Sequence, residues 1–140
     1  MNPYAAYRRP EPSTGWTRID LLLALYDGAI ERLDRAEAAL VRGDQAAAIP
    51  LMSKVQLIVT ELAAGVRTDI TPEAGTNALR LYEFVTHRLS EPRVDRVRDA
   101  RKILVTLREG FQAIRAEATE MERTGQFHAA SRLQMVLATA

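Results

Sequence analysis

The feature that most constrains the fold of this chain is a regular apolar stripe near its C-terminal end. Its members recur at alternating steps of three and four residues: Val97, Ala100, Leu104, Leu107, Phe111, Ile114, Ala118 and Met121. This spacing matches the 3.6-residue period of an α-helix and places the apolar side chains on one side of it. The stripe therefore predicts one long helix that packs along its whole length in a helical bundle.

Two earlier segments have the same apolar period and clear helix-start signals. Thr17 and Asp20 have the spacing of a capping box, and Gly43 stands where a left-handed residue would end that helix. Thr71 and Pro72 form a second start, with the proline at the first helical position. These signals predict the first and third helices of the chain. The core stripe predicted for the third helix is Ala78, Leu79, Tyr82, Val85 and Leu89.

A further helix is predicted between them, but a proline interrupts its pattern. A proline inside a helix removes one backbone hydrogen bond and costs about 3 kcal/mol unless the helix bends or begins there. The sequence therefore favours a weak turn over 44–49 and a helix from Pro50 to about Val66. No segment shows the period-two alternation of a strand.

The predicted fold class is all-α, an antiparallel up-and-down four-helix bundle with an N-terminal capping segment, because short connections favour antiparallel neighbours. The bundle is predicted to span residues 17–123. Residues 1–16 form a leader that contains Tyr4 and Tyr7, and residues 124–140 form a tail. The tail sequence is compatible with a short amphipathic helix or with disorder.

Composition excludes several classes of partner. The 140 residues carry a net charge of +1, which gives no reason to expect nucleic acid or an anionic membrane. There is no cysteine, no secretory signal pattern and no apolar run of the roughly 20 residues that cross a bilayer. The sequence predicts a cytoplasmic protein without membrane insertion.

The chain lacks a recognisable catalytic or metal-binding pattern. His87 and His128 are far apart, and neither belongs to a ligand-spaced pair. No Gly-rich phosphate loop, nucleophile elbow or zinc spacing is present. We therefore predict no enzyme activity, no cofactor and no metal.

The predicted helices carry more apolar residues than one stripe each requires. These extra residues lie on the first three helices, with the small Gly28 continuing the pair on the first: Leu21, Leu25, Leu57, Leu81 and Phe84. They either widen the core or form an apolar groove on the outside of the bundle. Large exposed apolar patches mark partner sites, and an amphipathic helix of another chain suits such a groove.

Several stretches, in this order, resemble the flagellin-specific export chaperones, the FliS family. They are NPYAAY at 2–7, LLLALYDGAIERL at 21–33, KVQLIVTEL at 54–62, LYEFVTHRL at 81–89 and ILVTLREGF at 103–111. The pair NPYxAY and LYDGAI carries most of the specificity. The resemblance runs from residue 2 to about residue 120 and leaves the tail outside.

The resemblance implies a cytoplasmic chaperone that binds the helical C-terminal segment of flagellin, prevents its premature polymerisation and helps deliver it to the flagellar type III export gate. Clients of this family wrap around the bundle and pack into apolar grooves. Motif positions carry over to Tyr4 and Tyr7, as a cap on the client site or an export-gate contact, and to Tyr26 and Gly28 in the groove. The alternative is a self-associating bundle, an adaptor or regulator that forms a homodimer through the same apolar patch.

Overall fold

Five helices make up most of the part of the chain that the computed structural model describes, residues 17–66, 69 and 72–124. They are α1 (Arg18–Val41), α2 (Gln45–Ala64), α3 (Pro72–Arg88), α4 (Val94–Ala113) and α5 (Arg115–Arg123). Helix α1 packs against α2 and α4, and α3 closes the ring by packing against the same two helices. The predicted all-α, up-and-down four-helix bundle is confirmed.

The ends of α1 follow the predicted signals. Asp20 accepts hydrogen bonds from the backbone N–H and the hydroxyl of Thr17, both at 3.1 Å. At the other end Gly43 has a φ of +81°, and its N–H donates to the carbonyl of Leu40 at 3.0 Å. A glycine adopts this left-handed conformation without a Cβ penalty, so the chain turns sharply into α2.

The prediction that the second helix begins at Pro50 is wrong. Helix α2 begins at Gln45 and includes Pro50 in its second turn. The side chain of Asp44 caps it by accepting a hydrogen bond from the N–H of Ala47 at 3.0 Å. Pro50 has no N–H, so one carbonyl of the preceding turn has no backbone donor. Since Pro50 is exposed, that carbonyl lies near solvent, and the helix continues through the proline.

The fourth apolar stripe is divided between two helices instead of one. Helix α4 ends at Ala113, and Ile114 has a φ of −103° and a ψ of 6° before α5 begins. Helix α5 then packs mainly against α1, where Arg115 pairs with Asp20 at 2.6 Å. Because the apolar period continues across the break, the sequence pattern did not show it.

The core of the described bundle is buried, and it is apolar apart from one buried pair of polar groups. Its largest fully buried members are Tyr26, Phe111, Ile19, Leu33, Ile58, Leu104, Leu107, Val55, Val59, Val85 and Val97. The hydroxyls of Tyr26 and Tyr82 are 2.6 Å apart and hydrogen-bonded, and the Tyr26 ring centroid lies 5.6 Å from that of Phe111. Burial is the main cause that raises the pKa of both tyrosines.

The tyrosine pair predicts a loss of stability at alkaline pH. Unfolded tyrosines ionise near pH 10, whereas Tyr26 and Tyr82 stay neutral in the bundle because their pKa values are raised. Their stabilisation is fully present below pH 10. Above it, the free energy of unfolding should fall by about 1.4 kcal/mol per pH unit for each tyrosine.

Urea unfolding followed by circular dichroism between pH 8 and pH 11.5 measures this slope. The double variant Tyr26→Phe/Tyr82→Phe should give a much flatter profile over the same range. An equally steep profile in the double variant would show that other groups cause the alkaline loss.

A series of ion pairs joins α1 to α4 and to the start of α5, and we call it the α1–α4 ladder. Its pairs are Asp20–Arg115, Asp27–Arg108, Asp34–Arg101 and Glu37–Arg98. Each step of seven or three residues along α1 is matched by an equal step back along α4. The ladder therefore favours one antiparallel register of these two helices.

Exchanging one rung tests the ladder. Asp34→Arg should place two cations against each other at Arg101 and destabilise the bundle by roughly 1 kcal/mol at low salt, since exposed pairs are weak. Adding Arg101→Asp should recover most of the loss. Urea midpoints at low ionic strength and in 1 M NaCl would measure both effects, because salt screens them. If the double variant recovers no stability, this pair does not help to set the register of α1 and α4.

Candidate partner-binding site

The outer side of α2 is almost without charge. Its exposed residues are Gln45, Ala46, Ile49, Pro50, Ser53, Lys54, Leu57, Thr60 and Ala64. Lys54 alone among them carries a charge. We call the eight uncharged exposed residues of α2 the α2 face.

Helices α1 and α4 present charged outer sides. On α1 the exposed charged residues are Arg18, Asp27, Glu31, Asp34 and Arg35, and on α4 they are Asp95, Arg98, Lys102 and Glu109. A solvated helix face normally carries such charges. The α2 face is therefore the exception in the described bundle, and it has the composition of a surface that is covered by a partner.

Hydropathy leads to the same conclusion. By length and composition, α2 is the one helix of the described residues that could cross a membrane, with a mean hydropathy of 1.3. Core helices of soluble proteins can be equally long and apolar because they are mostly buried, but only 33% of the apolar stretch of α2 is buried. Much of the apolar character of α2 is thus directed outwards.

Three large exposed apolar side chains define the centre of this surface. Leu57 is 53% exposed and Ile49 is 48% exposed, both on α2, and Leu79 of α3 is 37% exposed. The amide of Gln56 donates to the carbonyl of Thr86 at 3.0 Å, so Thr86 marks the flank of α3 that faces α2. Leu79 lies two turns before Thr86 on that same flank. Leu79 therefore adds an exposed apolar side chain of α3 beside the α2 face.

Phe84 and Leu81 lie on the opposite flank of α3. Phe84 is 45% exposed, and the guanidinium carbon of Arg88 lies 5.6 Å from its ring centroid. Arg88 in turn pairs with Asp99 of α4, which places this flank beside α4. Leu81 is partly buried against the core. The single groove expected from the sequence is therefore divided between two surfaces.

The candidate residues of α1 lie mostly inside the bundle. Leu25 is 4% exposed, Tyr26 is fully buried, and Gly28 is buried as well. Only Leu21 is half-buried at the surface. Because α1 packs against both α2 and α4, its buried stripe is wide enough to include both apolar stripes. In this structure the second stripe of α1 widens the core.

Tyr4 and Tyr7 lie outside the described residues, as does the tail from residue 125 onwards. The exposed apolar surface around Leu57 includes Ile49 of α2 and Leu79 of α3, which the sequence had not assigned to the site. The pattern placed Leu79 in the core stripe of its helix and Ile49 in a turn. The scarcity of charge along α2 was the signal that could have identified this surface.

A cavity of about 780 Å³ lies between α1, α4 and α5, and charged residues form most of its wall. Two of its three acids are paired, Asp20 with Arg115 and Asp27 with Arg108, and the third is Glu120. Burial raises the pKa of Asp20, but hydrogen bonds from Thr17 and Arg115 outweigh it and hold the pKa below its ordinary value. The carboxylates of Asp20 and Asp27 are structural partners of arginines that join α1 to α4 and α5.

Within the described ranges, no group of three or more His, Cys, Asp or Glu side chains is placed to hold a metal ion. Asp20, Asp27, Asp34 and Glu37 of α1 form pairs with arginines of other helices, and the uncharged surface lies on α2. The geometry therefore suits recognition of an apolar segment of another chain better than chemistry on a small molecule.

Comparison with known families identifies a matching family model. A family model described as "Flagellar protein FliS" matches residues 1–118. A comparison with curated proteins finds no match. The matched range contains α1 to α4, the α2 face and the leader with Tyr4 and Tyr7, and it ends within α5.

Proposed function

Because this chain belongs to the FliS family of flagellar proteins, we propose that it is a chaperone that binds the C-terminal helical segment of flagellin on the α2 face. The proposal is carried by one observation: the outer side of α2 is exposed and carries one charge, Lys54. Binding would hold flagellin in a form that cannot polymerise and would help deliver it to the flagellar export gate.

The shape of the α2 face suits an amphipathic helix. Leu57, Ile49 and Leu79 provide three apolar anchors, and burying a side chain of this size contributes about 1.5–3 kcal/mol when it starts fully exposed. The small residues Ser53 and Thr60 flank Leu57 on the exposed side of α2, so that a partner backbone can approach closely. Helix-in-groove recognition uses anchors of this kind.

Leu81 and Phe84 supply a second contact in this proposal. They lie on the flank of α3 that faces α4, so a client confined to the α2 face would not reach them. A client that continues around the bundle, as the family resemblance implies, would reach them after it crosses α3. Tyr4 and Tyr7 are assigned either to covering part of the client site or to contacting the export gate.

A second copy of the chain is the competing occupant of the α2 face. Two such faces would meet with little like-charge repulsion, because Lys54 is the one charged residue among the exposed residues of α2. A homodimer of the free protein and a complex with flagellin are compatible if the client displaces the second copy. Sedimentation of wild type and Leu57→Asp across a concentration series would separate monomer from dimer.

Calorimetric titration with the C-terminal segment of flagellin from the same organism tests the proposed function. We expect one-to-one binding at micromolar concentrations or below, a negative heat-capacity change and a gain of helix in the mixture. The N-terminal segment of the same flagellin is the matched control and should bind much more weakly. Absence of heat with the C-terminal segment, or equal binding of both segments, would reject the proposal.

A further inference from the structure

We propose that the chain's own C-terminal segment, residues 125–140, occupies the α2 face when no client is bound. Docking is inferred from the described residues and from the sequence of that segment. Its regulatory consequence, competition with flagellin, rests on the proposed function. The matched family range ends at residue 118, so the segment lies outside that range.

The described chain ends beside α1. After α4, helix α5 packs mainly against α1, and the hydroxyl oxygens of Thr119 and Thr17 are 3.5 Å apart. Residue 125 therefore follows from a point near the N-terminal end of α1. Because α2 is the antiparallel neighbour of α1, the end of α2 at Ala64 lies at this same end of the bundle.

The segment is long enough to reach the centre of the α2 face. Packed helix axes are about 8–10 Å apart, so crossing from α1 to α2 takes about three extended residues. Leu57 lies seven residues before Ala64, about 10 Å along α2 at 1.5 Å per residue. The dozen or so residues that remain could span about 18 Å even as a helix.

The composition of the segment matches the surface. Residues 125–140 contain no acid, and their apolar residues include Phe127, Leu133 and Leu137. Leu133 and Leu137 are four residues apart, the spacing of side chains on one face of a helix. Arg132 is the one arginine of the segment, so the segment brings little charge to a face that carries little charge itself. An apolar segment tethered nearby has a high effective concentration for such a surface.

Docking of the segment would lower the apparent affinity for flagellin. The client binds only the fraction of molecules whose α2 face is free, so its dissociation constant rises in inverse proportion to that fraction. The segment would thereby keep the apolar surface covered until a client is present.

Disulfide trapping in the full-length protein tests docking without flagellin, since the chain has no cysteine. The test variant is Leu57→Cys/Leu137→Cys. The matched control is Thr106→Cys/Leu137→Cys, because Thr106 is exposed on α4 and lies seven residues before the end of its helix, as Leu57 does on α2. We expect the intrachain disulfide to form at least about tenfold faster in the test variant, because both pairs share the same tether and docking holds only position 137 and position 57 close together.

Equal rates in the two variants would overturn the proposal. So would a disulfide that forms between two chains, since that result would assign the α2 face to a second copy. Neither outcome depends on flagellin binding, and a failure of the flagellin titration would therefore leave the docking result intact.

Regulation is tested by the affinity for the flagellin C-terminal segment. Leu133→Asp/Leu137→Asp should bind it about threefold to tenfold more tightly than wild type, because the competing segment no longer docks. Ser131→Asp/Ala138→Asp adds the same charge away from the apolar stripe and should leave the affinity near that of wild type. Unchanged affinity in the first variant, with flagellin bound by the wild type, would contradict the regulatory role.

Discussion

Leu57→Asp is expected to weaken binding of the flagellin C-terminal segment by at least about thirtyfold, equivalent to about 2 kcal/mol, the level of an interface hot spot. Leu57 is the most exposed large apolar residue of α2 and lies near the middle of the α2 face. In the complex an aspartate there would be buried without a partner. In the free bundle the same aspartate is solvated, so stability should change by no more than about 0.5 kcal/mol.

Calorimetry for binding, together with urea unfolding for stability, measures both parts of this prediction. Thr106→Asp is the matched control, since it introduces the same charge at an exposed site on α4. Its affinity should equal that of wild type. If Leu57→Asp binds flagellin normally, the α2 face is not the client site.

Leu25→Asp is expected to unfold the bundle. Leu25 is 4% exposed and belongs to the core cluster. Removing a buried leucine typically costs about 2–5 kcal/mol, and the buried carboxylate adds to this loss. Since domains of this size are stable by about 5–15 kcal/mol, most of the stability would be lost.

Helicity by circular dichroism and the urea midpoint measure the effect of Leu25→Asp. Leu25→Ala is the milder comparison and should remain folded with a lower midpoint. A stable, fully helical Leu25→Asp variant that had lost only flagellin binding would return this residue to the partner site, as the sequence pattern had suggested.

Local signals explain why most of the fold could be predicted from the sequence. The start of α1 depends on Thr17 and Asp20, its end depends on Gly43, and the start of α3 depends on Pro72; each acts over one turn of chain. The break at Ile114 was missed because it depends on the packing of α5 against α1. That contact joins residues far apart in the sequence.

The candidate site was predicted less completely because a helical period does not give the width of a buried stripe. Leu25 and Leu79 illustrate the difficulty. The pattern assigned Leu25 to a groove and Leu79 to the core, whereas Leu25 is buried and Leu79 is 37% exposed. A helix with two close neighbours, such as α1, buries a wide stripe, and α3 has fewer contacts with its neighbours.

Charge was the informative property that the apolar pattern did not use. Between Gln45 and Ala64 only Lys54 and Glu61 are charged, too few for a helix with so many exposed residues. Several acids of α1 pair with arginines at matching steps along α4. Counting charges on each predicted helix would have indicated both the α2 face and the ladder.

The most direct test of the central claim, that the α2 face holds the client, is site-specific photocrosslinking. A benzophenone probe is attached to the single cysteine of Ser53→Cys on α2 or of Thr106→Cys on α4, and each protein is irradiated with saturating flagellin C-terminal segment. We predict an efficient crosslink to the client from position 53 and little or none from position 106. Equal crosslinking from both positions, or crosslinking from position 106 alone, would contradict the account.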